Sequence, residues 1–331
     1  MLSLVQAQIL PRCLTLACMG WHHAALNCGL GLIDPSTTRP PDMIELKDII
    51  YVRLGTRDLE GSRRYATSIL GLEEAHAEGN PKSGQTLYFR SDAREHTLAY
   101  FDGDPRDHTS GFEVAHGAQL DAAAGTLEQL GYPVRRGTQA QAQARGVADF
   151  INFRDPSGNL IDLALRPQFS GRRYFPSRDA GITGFSHIGL RTTDAVRDEA
   201  FWTQVLSARV SDRIGAAALL RIDQVHHKIA LFPSSFAGVQ HINHQVAEVD
   251  DIMRSAYFLK EHGIRIVFGP GRHPTSGARF VYFEGPDAMI YEYSCGVRLV
   301  TDENEAPRQF PFKPSSFCMW GSKPDIAEFR D

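Results

Sequence analysis

The chain contains two copies of one pattern, and this repeat limits the folds open to it more than any other feature. The segment YVRLGTRDLEGSRRYATSILGLE, starting at Tyr51, matches HIGLRTTDAVRDEAFWTQVLSAR, starting at His187. Each copy has a strand, an Asp suited to capping a helix N-terminus, and then a helix. Further matches follow at spacings of about 130 residues, ending with FRDPSGNLIDLAL and FEGPDAMIYEYSC. The sequence therefore predicts a duplicated module.

Each copy divides again into two strand–helix–strand–strand–strand units. The strands are short and rich in Val, Ile, Tyr and Phe. Amphipathic helices are predicted at Leu59–Leu70, Leu120–Leu130, Ala195–Leu206 and Asp251–His262. Four βαβββ units predict an α+β protein in which each pair of units forms a strongly curved sheet, half closed around a cavity.

The domain organisation follows from the repeat. The modules are expected at residues 44–168 and 182–299, followed by a tail over residues 300–331. The tail is rich in Phe and Pro, so we expect it to dock over the cavity mouth or at a subunit contact. Residues 1–42 lack the basic start and clean apolar core of a secretory signal. Either they form a loosely held extension or Met43 is the true start, with a targeting peptide as the alternative.

Composition narrows the classes of partner. The net charge is -4, from 35 basic and 39 acidic residues, and no Lys/Arg run suits nucleic acid. No apolar stretch approaches the roughly 20 residues of a membrane span. The five cysteines are odd in number and form no CxxC pair, which argues against a disulfide framework or a structural zinc site. A reducing cytoplasm is therefore the expected location.

The two copies differ at three positions that carry chemistry. The pairs of first- and second-copy residues are Tyr51 and His187, Phe112 and His241, and Asp162 and Glu292. A lone strand His usually packs in a core, and a Glu near a strand end is usually solvated. Three such changes at matched positions instead favour one shared functional site. Two imidazoles and one carboxylate form the facial triad that suits non-haem Fe(II), with Mn(II) as the near alternative. The first copy offers no imidazole there, so we expect it to hold no metal.

A motif in the second copy carries a family resemblance. In the stretch GPGRHPTSGARFVYFEGPDAMIYEY its positions are Gly271, His273, Val281, Tyr282, Pro286 and Glu292. Over about residues 44–299 the chain resembles the type I extradiol ring-cleaving dioxygenases, of the catechol 2,3-dioxygenase and dihydroxybiphenyl dioxygenase type. These belong to the vicinal oxygen chelate superfamily. Two turn positions depart from the pattern, Gly285 and Ala288.

The resemblance implies a fold, an activity and a set of site residues. The fold would be two tandem vicinal-oxygen-chelate (glyoxalase/bleomycin-resistance-like) modules. The activity would be Fe(II)-dependent cleavage of a catechol-type diol by O2, beside the two hydroxyls, in aromatic-compound degradation. The family's metal ligands fall on His187, His241 and Glu292.

The catalytic residues implied by the resemblance are His227, His273 and Tyr282. His227 would donate a proton to oxygen and later accept one, and His273 with Tyr282 would orient a substrate oxygen. Two further histidines lie close by in the sequence: His226 is interpreted as a flanking residue and His244 as a strand residue, with a contact to the ligand residues as the alternative.

Several alternatives stay open. A lyase, isomerase or thiol transferase of the same superfamily would keep the fold and metal, but its ligands typically come from both halves of a cavity, whereas here one copy supplies all three. A non-catalytic binding protein is the other alternative. The expected partners are an aromatic diol and O2, with neither nucleic acid nor membrane, in a homo-oligomer. The particular catechol and the side of cleavage are not specified by the sequence.

Overall fold

The computed structural model describes residues 43–75 and 86–330 of the chain. The extension expected over residues 1–42 lies outside the described residues. Within the described ranges, no helix is both long enough and apolar enough to cross a bilayer.

In its described residues, the first module has an eight-stranded sheet and three α-helices. Its first unit contains β1 (Asp48–Thr56), α1 (Leu59–Arg64), β2 (Glu73–Ala75), β3 (Thr86–Arg90) and β4 (Leu98–Asp102). Its second unit contains β5 (His108–Val114), α2 (Gly117–Gln129), β6 (Arg135–Arg136), α3 (Gln139–Gln143), β7 (Val147–Arg154) and β8 (Leu160–Pro167). The strand order is β2-β3-β4-β1-β5-β8-β7-β6.

The second module repeats this plan and gains one strand from the tail. Its first unit contains β9 (Ile182–Thr192), α4 (Ala195–Gln204), β10 (Arg209–Ile214), β11 (Ala217–Arg221) and β12 (Ile229–Pro233). Its second unit contains β13 (Gly238–Val246), α5 (Val249–Glu261), β14 (Ile266–Arg272), β15 (Arg279–Glu284) and β16 (Ile290–Cys295). The tail adds β17 (Arg308–Phe310) and α6 (Pro314–Phe317). The strand order is β14-β15-β16-β13-β9-β12-β11-β10-β17.

The prediction of an α+β fold with four βαβββ units is therefore confirmed. In both sheets the opening strands of the two units pair antiparallel at the centre, β1 with β5 and β9 with β13. Each opening strand also pairs parallel with the last strand of its own unit. Side chains that alternate along these central strands project either into the cavity or onto the helices.

Local signals place the helix ends as predicted. Asp58 and Asp194 cap α1 and α4 by accepting backbone N–H groups of Gly61 and Arg197, at 2.8 and 3.1 Å. The chain leaves α2 through Gly131 in the left-handed region, with φ of 84°, which glycine adopts without a steric penalty. The helix predicted to run from Leu59 is α-helical only to Arg64 and continues in wider, π-type turns through Ile69.

The sheet register corrects one matched pair. Arg53 on β1 lies opposite Thr109, whereas its counterpart on β9, Gly189, lies opposite His241. The first-module counterpart of His241 is therefore Thr109, and the proposed match to Phe112 is wrong by three residues. The two strand sequences alternate in similar ways, so the pattern alone does not fix the register. The conclusion is unaffected, because Thr109 also lacks an imidazole.

Candidate metal and substrate site

Three side chains of the central strands meet inside the second sheet. His187 projects from β9, His241 from β13 and Glu292 from β16, and all three are buried. His187 Nε2 lies 3.1 Å from His241 Nε2 and 3.0 Å from Glu292 Oε2. The distance from His241 Nε2 to the same carboxylate oxygen is 3.5 Å. The structure thus brings together the three residues that the sequence predicts as metal ligands.

The carboxylate of Glu292 has a metal-binding environment. Although Oε2 lies near His187, neither carboxylate oxygen accepts a geometrically sound hydrogen bond from the described residues. A buried carboxylate without donors costs several kcal/mol unless a cation compensates it. Burial lowers the pKa of His241 to about 3, so its ring is neutral and keeps a lone pair. One carboxylate oxygen and two imidazole nitrogens, all within 4.8 Å of one another, fit Fe(II) or Mn(II).

One neighbouring side chain selects the nitrogen that His241 offers. Gln240 Oε1 accepts a hydrogen bond from His241 Nδ1, which leaves the Nε2 lone pair free to face the cluster. The ring passes so close to Gly189 that a Cβ there would overlap His241 and lie 2.8 Å from Gln240 Oε1. Sequence reasoning missed Gln240, because a polar residue beside a strand His carries no distinguishing pattern.

His273 and Tyr282 form a hydrogen-bonded pair beside this cluster. Tyr282 lies directly across from Glu292 on the neighbouring strand. His273 Nδ1 lies 2.8 Å from the carbonyl oxygen of Phe317, so it donates there and Nε2 is the acceptor. Tyr282 Oη lies 3.2 Å from that Nε2 and donates to it. Burial, with a contribution from the Glu292 charge, raises the pKa of Tyr282 well above its usual value, so the phenol stays protonated.

His227 completes the cavity wall. Its ring centroid lies 4.3 Å from that of His187. Burial lowers its pKa well below the usual value, so the ring is neutral. The interpretation of His226 as a mere flanking residue is wrong, because His226 Nδ1 lies 3.0 Å from His227 Nδ1 in a buried contact. The sequence could have suggested this only through the adjacent His–His pair.

The cavity between these groups is small and is lined in part by the tail. Its volume is about 30 Å³, room for one or two water molecules. Phe317 and Phe329 of the tail line it together with His227 and Tyr282. A cavity of about 410 Å³ lies elsewhere, around His108, but there both ring nitrogens are already hydrogen-bonded, to Val239 N and the Pro105 carbonyl. The small cavity is therefore the candidate site, because His241 of the cluster lines it together with His227, His273 and Tyr282.

The first module has different residues at the place that corresponds to the cluster. Asp162, the counterpart of Glu292, accepts hydrogen bonds from Arg145 Nε at 2.6 Å and Tyr51 Oη at 2.8 Å. The guanidinium thus compensates the buried carboxylate that an ion would otherwise have to balance. Arg145 stacks on Phe150, which packs with Tyr51 inside the barrel. The first copy therefore compensates its buried carboxylate with a side chain of its own.

The structure also describes His244 and the two turn positions that depart from the family pattern, Gly285 and Ala288. His244 lies on the face of β13 opposite the cluster, packs near Phe185 in the core and has no hydrogen-bond partner for Nδ1 among the described residues. In the turn before β16, Ala288 has φ of 60°, in the left-handed region that is unfavourable for a residue with a Cβ. A Cβ at Gly285 would lie 2.5 Å from the Tyr291 ring, so only glycine fits there.

The tandem modules and the site define a family. The sequence model of the Glyoxalase/Bleomycin resistance protein/Dioxygenase superfamily matches residues 48–163 and 184–292, and the chain belongs to this superfamily. An iron-dependent extradiol dioxygenase of Rhodococcus jostii (strain RHA1) is 27% identical over 299 residues, covering 84% of this chain and 97% of that protein. The predicted relationship to extradiol dioxygenases is thereby confirmed.

Solved structures show the same fold. The homoprotocatechuate 2,3-dioxygenase of Arthrobacter globiformis superposes with a TM-score of 0.76 at 22% identity, covering 88% of this chain and 93% of that one. The Mn(II)-bound glyoxalase of Novosphingobium aromaticivorans superposes with a TM-score of 0.75 at 23% identity, covering 87% and 94%. At these identities the likeness concerns the fold, and function rests on the site.

Proposed function

We propose that the protein is an Fe(II)-dependent extradiol dioxygenase that cleaves a catechol-type diol with O2 in aromatic-compound degradation. One observation carries the proposal: a buried His187–His241–Glu292 cluster, with its carboxylate lacking donors, lies beside the Tyr282–His273 pair. The extradiol dioxygenase of R. jostii supports the reaction class.

His187, His241 and Glu292 would hold the metal. Bound Fe(II) would supply a Lewis acid for both diol hydroxyls and an open position for O2. The three side chains come from neighbouring strands of the sheet, β9, β13 and β16. Mn(II) accepts the same ligands and is the alternative metal.

Tyr282 and His273 would manage the proton that leaves a substrate hydroxyl. Tyr282 donates its own proton to His273 Nε2, and its oxygen can accept the substrate proton at the same time. The net result is transfer to His273, whose orientation is held by the Phe317 carbonyl. A donor and acceptor within hydrogen-bond reach are what general acid–base catalysis requires.

His227 would transfer protons to and from oxygen in the cavity. Its ring is neutral and lines the cavity close to His187. A neutral imidazole can accept a proton first and return it later, and we propose this order for His227 in place of the reverse order that the family resemblance implies. The phenyl rings of Phe317 and Phe329 exclude bulk water during these transfers.

An isomerase or lyase of the same superfamily is the second candidate, since the Mn(II)-bound glyoxalase shares the fold. Against it, one module supplies all three ligand residues, and the first module has Arg145 at the matched place. A purely ligand-binding protein would have no need of the Tyr282–His273 pair.

The test loads the protein with Fe(II) under nitrogen and then adds air with catechol, methylcatechols or 2,3-dihydroxybiphenyl. We expect oxygen uptake equimolar with the diol and a yellow ring-opened product. Glu292→Gln should bind iron weakly and abolish uptake, whereas Glu261→Gln, exposed on α5, should change neither. The proposal fails if protein with one Fe(II) per chain consumes no oxygen with any of these diols.

Two expectations about context belong to this proposal. We place the enzyme in the cytoplasm, and the two described cysteines, Cys295 and Cys318, are free and buried, in keeping with a reducing compartment. The homo-oligomer inferred from the family resemblance stays a prediction.

A further inference from the structure

A buried chain of hydrogen bonds runs from His227 away from the cavity. His227 Nδ1 lies 3.0 Å from His226 Nδ1, and His226 Nε2 lies 2.8 Å from Asp212 Oδ2. The side chains of His226 and Asp212 are fully buried. The chain ends at Arg308 in the tail strand β17, which donates from Nε to Oδ1 at 2.9 Å and from Nη2 to Oδ2 at 2.6 Å.

The hydrogen bonds of this chain have only one consistent direction. Burial opposes ionisation of Asp212, but hydrogen bonds from His226 and Arg308 lower the pKa of its carboxyl below the usual value. An ionised carboxylate only accepts, so His226 Nε2 must carry a hydrogen. Burial lowers the pKa of His226 as well, so the ring is neutral and its Nδ1 has a lone pair. His227 Nδ1 must then be the donor.

We infer that Asp212 and His226 are positioning residues that hold His227 in its Nδ1–H tautomer, with the Nε2 lone pair presented to the cavity. The inference rests on the proposed function, because it assigns the state in which His227 begins the reaction. In this tautomer Nε2 can accept a proton but has none to donate. The carboxylate of Asp212 thus controls, through one intervening ring, which of the two roles His227 can take first.

The first module indicates that the βαβββ fold does not depend on this chain of hydrogen bonds. The residues matched to His226 and His227 are Glu95 and His96. Within the described structure, His96 Nε2 has no hydrogen-bond partner and no hydrogen bond joins the two side chains. The same βαβββ unit therefore folds without a paired imidazole. The tail also reinforces the chain in the second module, since Arg308 Nη2 donates to the Thr275 carbonyl at 2.6 Å.

The decisive variant is Asp212→Asn. The amide can turn its NH2 group toward His226 Nε2, which reverses both hydrogen bonds and puts the hydrogen of His227 on Nε2. The same exchange in a serine-protease triad leaves the geometry intact but selects the wrong tautomer. We expect kcat on catechol to fall by about 10²–10⁴-fold, with KM and iron content unchanged.

Two His226 variants test the same inference without changing Asp212, so a folding defect in the Asp212 variant does not affect them. In His226→Gln the amide oxygen can accept from His227 and the NH2 group can donate to Asp212, so kcat should recover to within about tenfold of the parent. In His226→Leu neither bond is possible, and kcat should fall as far as in Asp212→Asn. Rescue by Gln is a result that a purely space-filling role for His226 would not produce.

The second readout does not depend on activity. In 15N-histidine-labelled protein loaded with Zn(II), the His227 resonances, assigned by their loss in His227→Gln, should show a protonated Nδ1. In Asp212→Asn they should show a protonated Nε2. A parent protein with Nδ1 unprotonated overturns the inference, and so does an Asp212→Asn or His226→Leu enzyme with parental kcat. If no diol is cleaved at all, the proposed function fails, and the resonances still decide the tautomer.

Discussion

The amide oxygen of Gln240 decides which nitrogen of His241 can bind a metal. It accepts from Nδ1 and thereby fixes the ring with Nε2 toward His187 and Glu292. Such partners of ligand imidazoles typically change metal affinity by 10–100-fold. At the scale of single residues, the direction of one hydrogen bond therefore determines the geometry of the site as much as the three candidate ligand residues do.

Replacing Gln240 by Leu should weaken metal binding by about 10–100-fold. The leucine keeps the volume but removes the acceptor, so His241 is free to turn or change tautomer. Affinity is measured by competition with a fluorescent chelator, using Fe(II) or Mn(II). Gln245→Leu, exposed on the same strand, is the matched control and should bind as the parent does. Equal affinity in both variants would contradict this role for Gln240.

His96 gives the first module a pH-dependent stability. Burial, with help from nearby guanidinium groups, lowers its pKa to about 3. Below its unfolded pKa of about 6.5 the unfolded chain binds a proton that the folded one does not. This contribution to stability is therefore present above that pH and lost as the pH falls toward the folded value.

Replacing His96 by Phe should reduce this acid sensitivity. The ring packs against Tyr51 and Tyr88, so Phe can keep the stacking and removes an unpartnered nitrogen. From pH 7.5 to pH 5 the parent should lose about 2 kcal/mol more unfolding free energy than the variant. Urea unfolding at the two pH values measures this, with His116→Phe, at an exposed position, as control. An identical loss in parent and variant would show that His96 does not titrate on unfolding.

At the scale of elements, the tail is part of the site. It supplies the carbonyl that orients His273, the guanidinium that pairs with Asp212, and two rings of the cavity wall. A cavity of about 30 Å³ is far below the roughly 300–1,000 Å³ of typical ligand pockets. A diol therefore fits only if side chains of the lining move, and Phe317 and Phe329 of the tail are among them.

Phe329→Ala should favour larger diols. Removing the ring opens the cavity wall next to Phe232 and Tyr282. The ratio of kcat/KM for 2,3-dihydroxybiphenyl to that for catechol should rise about tenfold, an amount that one pocket contact can supply. Phe310→Ala changes the same tail but not the cavity lining, so its ratio should stay parental. A parental ratio in Phe329→Ala would mean that substrate approaches from another side.

At the scale of the whole molecule, the two modules share one core. The largest apolar cluster contains strand residues of both sheets. Trp202 on α4 of the second module packs edge-on against Phe112 of the first, with ring centroids 5.4 Å apart. Tyr65 of the first module donates to the Glu284 carbonyl of the second at 2.9 Å. We propose residues 44–168 and 182–299 as the repeated units, but cooperative folding should involve both together.

Trp202→Ala should destabilise both modules. Removing a fully buried Trp costs about 3–5 kcal/mol, and the lost contacts lie on each side of the boundary. Hydrogen exchange should show faster opening of β1 as well as β9, in a single unfolding transition. Trp320→Ala, half exposed in the tail, should leave both strands protected as in the parent. Faster exchange confined to β9 and its neighbours would mean that the modules unfold separately.

The sequence by itself determined the elements, the duplication and the ligand residue types. Strand alternation, the Asp caps and the matched copies are local signals, and they predicted the first residues of α1 and α4, Leu59 and Ala195. Comparing the copies also singled out His187, His241 and Glu292. The match of Phe112 to His241 failed because register depends on hydrogen bonds to the neighbouring strand, not on the strand's own pattern.

Only the tertiary structure decided how those residues are held. Gln240, Asp212 and Arg308 carry no pattern of their own. Gln240 acts on the next residue of its own strand, whereas Asp212 pairs with His226 and with a tail about 100 residues further along the chain. Arg145 likewise balances Asp162 only because a short helix places it in the first cavity. Hydrogen-bond direction and charge compensation act over a few ångströms in space, so folding must bring the partners together before either exists.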